Sequence, residues 1–74
     1  MLEEIKKILS DFTEVPADSI TLKSQFKNDL GLNSLDVVNI VVAFEEAFNI
    51  EIADEDVRQI ITIEDAIKYI EAHR

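Results

Sequence analysis

Asp29-Leu30-Gly31-Leu32-Asn33-Ser34-Leu35-Asp36 is the stretch on which the reading of this chain turns. It holds the only glycine in 74 residues. A serine follows three positions later, and then an apolar run from Leu35 to Phe48. Gly31 takes a positive φ cheaply, which suits a sharp turn. Asn33 or Ser34 can cap the helix that follows, and Asp36 lies three residues beyond Asn33 in the manner of a capping pair. The pattern predicts a long loop closing on Gly31 and a helix from Asn33 or Ser34 to Phe48, with Asn49 as its stop.

Working outward towards the N-terminus, Pro16 to Asn33 reads as loop. Loops of this length in small domains are functional or disordered. Ile20, Leu22, Phe26 and Leu30 punctuate this one and are candidate anchors to the core. Before it, Leu2, Ile5, Ile8, Leu9 and Phe12 recur at spacings of three and four, which predicts an amphipathic helix from Met1. It should fade near Thr13 to Val15, because Pro16 disfavours helical geometry in the preceding residue. Towards the C-terminus, Ile50-Glu51-Ile52 is an extended linker. Asp54 or Asp56 could cap a short helix through Val57, Ile60 and Ile61. Thr62-Ile63-Glu64-Asp65 is a clearer capping signal and opens a last helix with Ile63, Ala66, Ile67 and Ile70 on one face. No segment alternates as a strand. The expectation is an all-α single domain over residues 1–74: a small four-helix bundle of three main helices and one short one, with a long loop after the first.

Composition narrows the function. The chain has no cysteine, which excludes disulfides, thiolate metal sites and cysteine nucleophiles. Sixteen acidic residues against seven basic ones give a formal net charge of −9. Such a surface repels nucleic-acid phosphates and anionic lipid and is steered towards basic partners. No apolar run reaches the ~18–20 residues needed to span a bilayer. No secretory signal is visible. The expected address is the cytoplasm, and the expected state is a monomer without nucleic-acid partner or stable membrane insertion.

No catalytic constellation emerges. His73, the only histidine, lies at the far end of the chain from Ser34, and nothing in the spacing unites them in a Ser–His–acid arrangement. Asp54, Glu55 and Asp56 lack the spacing and glycine of a calcium loop. There is no zinc spacing and no phosphate-cradling glycine loop. Read alone, Ser34 is a helix cap.

On a helical wheel Val37, Val41, Phe44 and Phe48 fall within about 60° and form the expected core face. Leu35, Val38 and Val42 occupy a separate arc of roughly the same width, bracketed by Glu45 and Glu46. Unpaired carboxylates stay solvated. This arc is either further core of a helix apolar nearly all round, or a partly exposed docking strip with an acidic rim.

The stretch from Asp29 to Asp36 resembles the Asp-Leu-Gly-x-Asp-Ser-Leu segment of acyl carrier proteins. The resemblance extends over nearly the whole chain: its length and acidity, the amphipathic first helix, the long loop, the second helix ending Glu45-Glu46-Ala47-Phe48, and Thr62-Ile63 followed by Ala66, Ile67 and Tyr69. It implies a discrete, non-catalytic carrier. Ser34 would bear 4′-phosphopantetheine, donated from coenzyme A by a separate magnesium-dependent phosphopantetheinyl transferase, and the arm would carry acyl groups as thioesters. Acyl-loading and acyl-transferring synthases of fatty-acid, lipid or polyketide biosynthesis would be the partners, through basic surfaces. Docking would fall to Leu35, Asp36, Val38, Asn39, Val42, Glu45 and Glu46. Val37, Val41, Phe44, Ile60 and Ile67 are candidates to line a pocket for the acyl chain, or are ordinary core. Two positions depart from the family pattern. Asn33 stands where aspartate is usual, and Asn39 where glutamate is common. Each removes a carboxylate from the docking surface, which leaves open a specialised carrier, including one for an aminoacyl group. A helical interaction module that carries nothing is the alternative outside the family.

Overall fold

A computed structural model describes all 74 residues. Four α-helices follow one another: α1 (Leu2–Leu9), α2 (Ser34–Phe48), α3 (Asp54–Val57) and α4 (Ile63–His73). There is no strand. The one isolated bridge pairs Gln25 with Thr62 in the antiparallel sense. The all-α bundle expected from the sequence is the architecture found.

Helix α1 carries Glu3 and Glu4 in its first turn and Lys6 and Lys7 in its last, an order that suits the helix dipole. Its buried stripe is Ile5 and Leu9. The helix ends at Leu9, earlier than the fading at Thr13 to Val15 expected from Pro16. Hydroxyl groups explain the early stop. Ser10 Oγ donates to the Lys7 carbonyl at 2.6 Å, and Thr13 Oγ1 donates to the Leu30 carbonyl at 2.9 Å. Such side-chain bonds compete with the helical ladder. Phe12 and Thr13 still donate backbone N–H to the Leu9 carbonyl, as turns rather than helix.

The connection from Pro16 to Asn33 is pinned down along its length. Ala17–Ser19 makes one 3₁₀ turn. Ile20, Phe26, Leu30 and Leu32 are buried, while Leu22 stays exposed. Phe26 N–H donates to the Ile61 carbonyl, Ile63 N–H to Ser24 and Glu64 N–H to Leu22. The loop is thereby tied to the entrance of α4.

Helix α2 starts and stops where its sequence signals stand. Asn33 is the N-cap in a capping box with Asp36, and Asn49 terminates the helix in the left-handed region at φ 55°. Its buried positions are Val37, Ile40, Val41 and Phe44. Ile40 lies outside the face picked by the wheel, and Phe48, assigned to that face, is only half-buried against the Phe44 ring. Ile50 and Ile52 anchor the following linker.

Helix α3 is shorter than expected. Its N-cap is Ala53 with no side-chain bond, and both Asp54 and Asp56 lie inside its first turn. It stops at Val57, and four residues on the Ile61 carbonyl accepts the Phe26 N–H. Helix α4 begins at the Thr62–Asp65 capping box, and Ile63, Ala66 and Ile70 face inward. Ile5, Leu9, Ile40, Phe44, Ile63 and Ile70 form the most deeply buried centre.

Candidate functional site

Ser34 is the first residue of α2, and its side chain is exposed. Three local devices place it there. Gly31, at φ 68°, turns the chain. Leu32, buried, fixes the segment between the turn and the helix. The capping box then closes: Asp36 N–H donates to Asn33 Oδ1 at 2.8 Å, and Asn33 N–H donates to Asp36 Oδ2 at 3.3 Å. Asn33 therefore performs the capping role and leaves the serine hydroxyl unengaged by the cap. A reading of Ser34 as the cap itself is replaced by this geometry.

The hydroxyl has a different partner. Lys27 Nζ donates to Ser34 Oγ at 3.1 Å. A self-bonded turn presents that lysine. Asp29 and Leu30 donate N–H to the Gln25 carbonyl, and Leu32 N–H donates to the Phe26 carbonyl. Gln25 N–H in turn donates to Asp29 Oδ2 at 2.7 Å. No pattern in the sequence marks Lys27, because its approach to Ser34 depends on how the loop folds back.

Ser34 also lines a cavity of about 720 Å³, within the ~300–1,000 Å³ of small-molecule sites. Phe26, Val37, Val38, Val57, Ile60 and Ile61 supply its apolar walls. Gln25, Lys27, Asn28, Asp54 and Arg58 supply polar lining. Of the five residues expected to line an acyl pocket, Val37 and Ile60 line this cavity. Val41, Phe44 and Ile67 do not. Val41 and Phe44 lie one to two turns farther along α2 and are buried in the core, and Ile67 packs against that core from α4. Phe26, Val57 and Ile61 are wall residues not among those five, and Phe26 and Ile61 lie outside the helices, where periodicity gives no signal.

The outer arc of α2 is exposed: Leu35 by 68%, Val38 by 51% and Val42 by 46%. Ile61, exposed by 54%, adds a fourth large apolar side chain, from the loop between α3 and α4. Asn39 and Glu46 are exposed beside the arc. Two acids assigned to docking are otherwise engaged. Asp36 is half-buried in the capping box, and Glu45 is half-buried with Oε2 accepting the Ile52 N–H at 2.9 Å. The expectation that Glu45 is freely solvated is thus corrected. That carboxylate holds the linker after α2.

The site contains no general base aimed at Ser34. His73 Nδ1 lies 2.8 Å from the Tyr69 carbonyl, and its ring stacks on Tyr69 at the far end of α4. No group of three or more metal-ligating side chains occurs in the chain, and no helix is long and apolar enough to cross a membrane.

The residues present suit a phosphate ester on Ser34. The hydroxyl is exposed at a helix N-terminus, where backbone dipoles favour an anion. An ammonium group touches the same oxygen, and an apolar cavity adjoins it. Residues 3–70 match the phosphopantetheine attachment site family. The fold is similar to that of an acyl carrier protein from Enterococcus faecalis studied for its high thermal stability, with TM-score 0.86 and 34% sequence identity. That similarity covers 99% of this chain and 92% of the other.

Proposed function

The chain belongs to the phosphopantetheine-bearing acyl carrier proteins, and on that premise we propose that Ser34 is its attachment residue and that the exposed arc of α2 is its docking surface. The protein is a carrier and not an enzyme. The 4′-phosphopantetheine arm supplies a terminal thiol on which acyl groups travel as thioesters. Phosphopantetheinyl transferase and synthase enzymes, in the expected context of fatty-acid biosynthesis, are its partners.

One observation carries the Ser34 assignment: its hydroxyl is exposed at the start of α2, not used by the cap, and faces a cation and a cavity. A serine hydroxyl is a weak nucleophile without a base. This chain offers it none, so the proton is removed by the transferase. Lys27 favours the developing negative charge on Oγ. Helix α2 holds the residue rigidly, and Asn33 keeps the helix start intact without adding charge.

Beside it, Leu35, Val38, Val42 and Ile61 form an apolar patch. Glu46 stands at its edge as a free carboxylate for a basic partner surface. Each such exposed pair contributes about 0–1 kcal/mol, so the apolar patch carries more of the contact than the charges do. The acyl chain is proposed to shelter against Val37 and Ile60 together with Phe26 and Val57.

Intact mass tests the assignment. Incubation with coenzyme A, magnesium and a broad-specificity phosphopantetheinyl transferase should add one phosphopantetheinyl group, and Ser34→Ala should add none. An unchanged mass with several transferases, or modification persisting in Ser34→Ala, would overturn it. For the docking surface, Val42→Asp and Glu46→Lys should slow modification or acyl loading while leaving the helical spectrum unchanged.

A further inference from the structure

Lys27 is exposed, yet its ammonium group is directed at the Ser34 hydroxyl 3.1 Å away. A neutral hydroxyl is a weak partner for a long side chain that loses rotamer freedom when it is held. A phosphodiester formed on that oxygen is a better one, because it replaces a neutral acceptor with an anionic one and so pairs opposite charges. The neighbouring carboxylates do not claim the lysine. Asp29 accepts from Gln25 N–H, Asp36 accepts from Asn33 N–H, and the only ion pair in the structure joins the N-terminus to Glu4. The turn that presents Lys27 is fixed by its own backbone bonds and by its tie to Ile61. Lys27 and Ser34 also line the same cavity.

We propose that Lys27 is an anion-anchoring residue: it pairs with the phosphodiester at Ser34 and holds the base of the arm beside the cavity bounded by Phe26, Val37, Val57 and Ile60. This rests on the assignment of Ser34 as the attachment residue. The role is positional. Lys27 biases the arm towards its sheltered position, and a basic partner surface competes for the same phosphate when the arm is withdrawn. The link is exposed and weak, so it restrains the arm without trapping it.

The chain carries its own internal controls in Lys6, Lys7, Lys23 and Lys68. Protein labelled with ¹⁵N at lysine is converted from the unmodified to the phosphopantetheinylated form, and conversion is verified by intact mass. The Lys27 Nζ resonance should shift on attachment while the other four stay in place. A second measurement puts a spin label on the arm's thiol and reads the broadening of backbone amides at residues 25–28 and 57–61. Lys27→Gln should reduce that broadening about two- to fivefold, the range expected for losing one exposed ion pair. Lys27→Arg should retain it, and Lys23→Gln, which removes the same charge elsewhere, should not reduce it. A chain that gains no mass removes the attachment assignment and this proposal with it. A modified chain whose Lys27 signal moves no more than the other lysines, or whose arm broadens the same amides equally in Lys27→Gln, overturns the proposal alone.

Discussion

At the scale of single residues, the site depends on backbone conformation as much as on side-chain chemistry. Gly31 sits at φ 68°, and a Cβ built there meets nothing within 4 Å. A substitution therefore costs only the strain of the left-handed region, about 1–2 kcal/mol for an ordinary L-residue. Gly31→Ala should lower stability by that amount in chemical denaturation. Gly31→Asn should recover much of the loss, because asparagine visits this region more readily; equal losses for the two would mean that something other than φ sets the cost. Asp65 offers a pH-dependent test. Its carboxylate accepts N–H bonds from Thr62 and Ile61. The Thr62 backbone bond is the main cause that holds its pKa below the usual 3.8. The folded value lies below the unfolded one, so this stabilisation is complete above the unfolded pKa and is lost as pH falls through the folded value. Asp65→Asn should cost about 0.5–1 kcal/mol at neutral pH, and its gap from wild type should close in strongly acidic solution. Gly31, the Asn33–Asp36 box and the Thr62–Asp65 box were legible in sequence because each acts within four residues of itself. Lys27 was not, since its contact with Ser34 is made by a loop whose path is fixed by Ile61 and Thr13.

At the scale of elements, the same division holds between local and tertiary causes. Helix α2 is bounded by a capping box and a left-handed asparagine, both encoded at its own ends, and its limits agree with the sequence reading. Helices α1 and α3 stop short of segments held by tertiary bonds, Thr13 Oγ1 to the Leu30 carbonyl and the Phe26 N–H to the Ile61 carbonyl. Helix periodicity contains neither. Glu45 is the instructive case on α2. The wheel sees an acid at the edge of an apolar arc, but not the Ile52 N–H that comes back to meet it. Glu45→Gln should consequently change stability more than partner recognition, the reverse of Glu46→Gln, and thermal melting beside transferase kinetics separates the two. The four-residue α3 forms one wall of the cavity and needs an external tie. Tyr69 OH donates to Asp56 Oδ2 at 2.7 Å, linking α4 to α3. That bond is the main cause raising the Tyr69 pKa above 10.0. With the folded value above the unfolded one, the tie is fully present below the unfolded pKa and is lost as pH rises through the folded value. Tyr69→Phe should cost about 0.5–1 kcal/mol at neutral pH, the lower part of the range because the bond is partly exposed. Hydrogen exchange should accelerate first at Asp56 to Ile60, and the stability difference should vanish in strongly alkaline solution.

At the scale of the whole molecule, charge and compactness pull against each other. The Cα radius of gyration is 11.0 Å, close to the ~11 Å expected for a compact chain of this length, so the long first connection is packed and not splayed. Into that volume the sequence places a net charge of −9, with one ion pair to offset it. Mutual repulsion among the carboxylates lowers stability at low ionic strength, while the same field draws a basic partner inward. Screening removes both effects, since the Debye length falls from ~30 Å at 0.01 M to ~8 Å at 0.15 M, below the molecular radius. Sodium chloride over this range should therefore raise the melting temperature and lower the rate of modification by the transferase. For a domain of this size, relief of about 1 kcal/mol of repulsion raises Tm by about 4–8 °C. Chloride is the salt to use, because sulfate also strengthens apolar burial and would mix two causes. Glu46→Gln should flatten the salt dependence of the rate, as one charge fewer is left to screen, and should leave the salt dependence of melting nearly unchanged. A rate that rises with salt alongside Tm would mean that the partner reads the apolar patch of Leu35, Val38, Val42 and Ile61 without help from the acidic field. The docking proposal would then lose its electrostatic half and keep its apolar one.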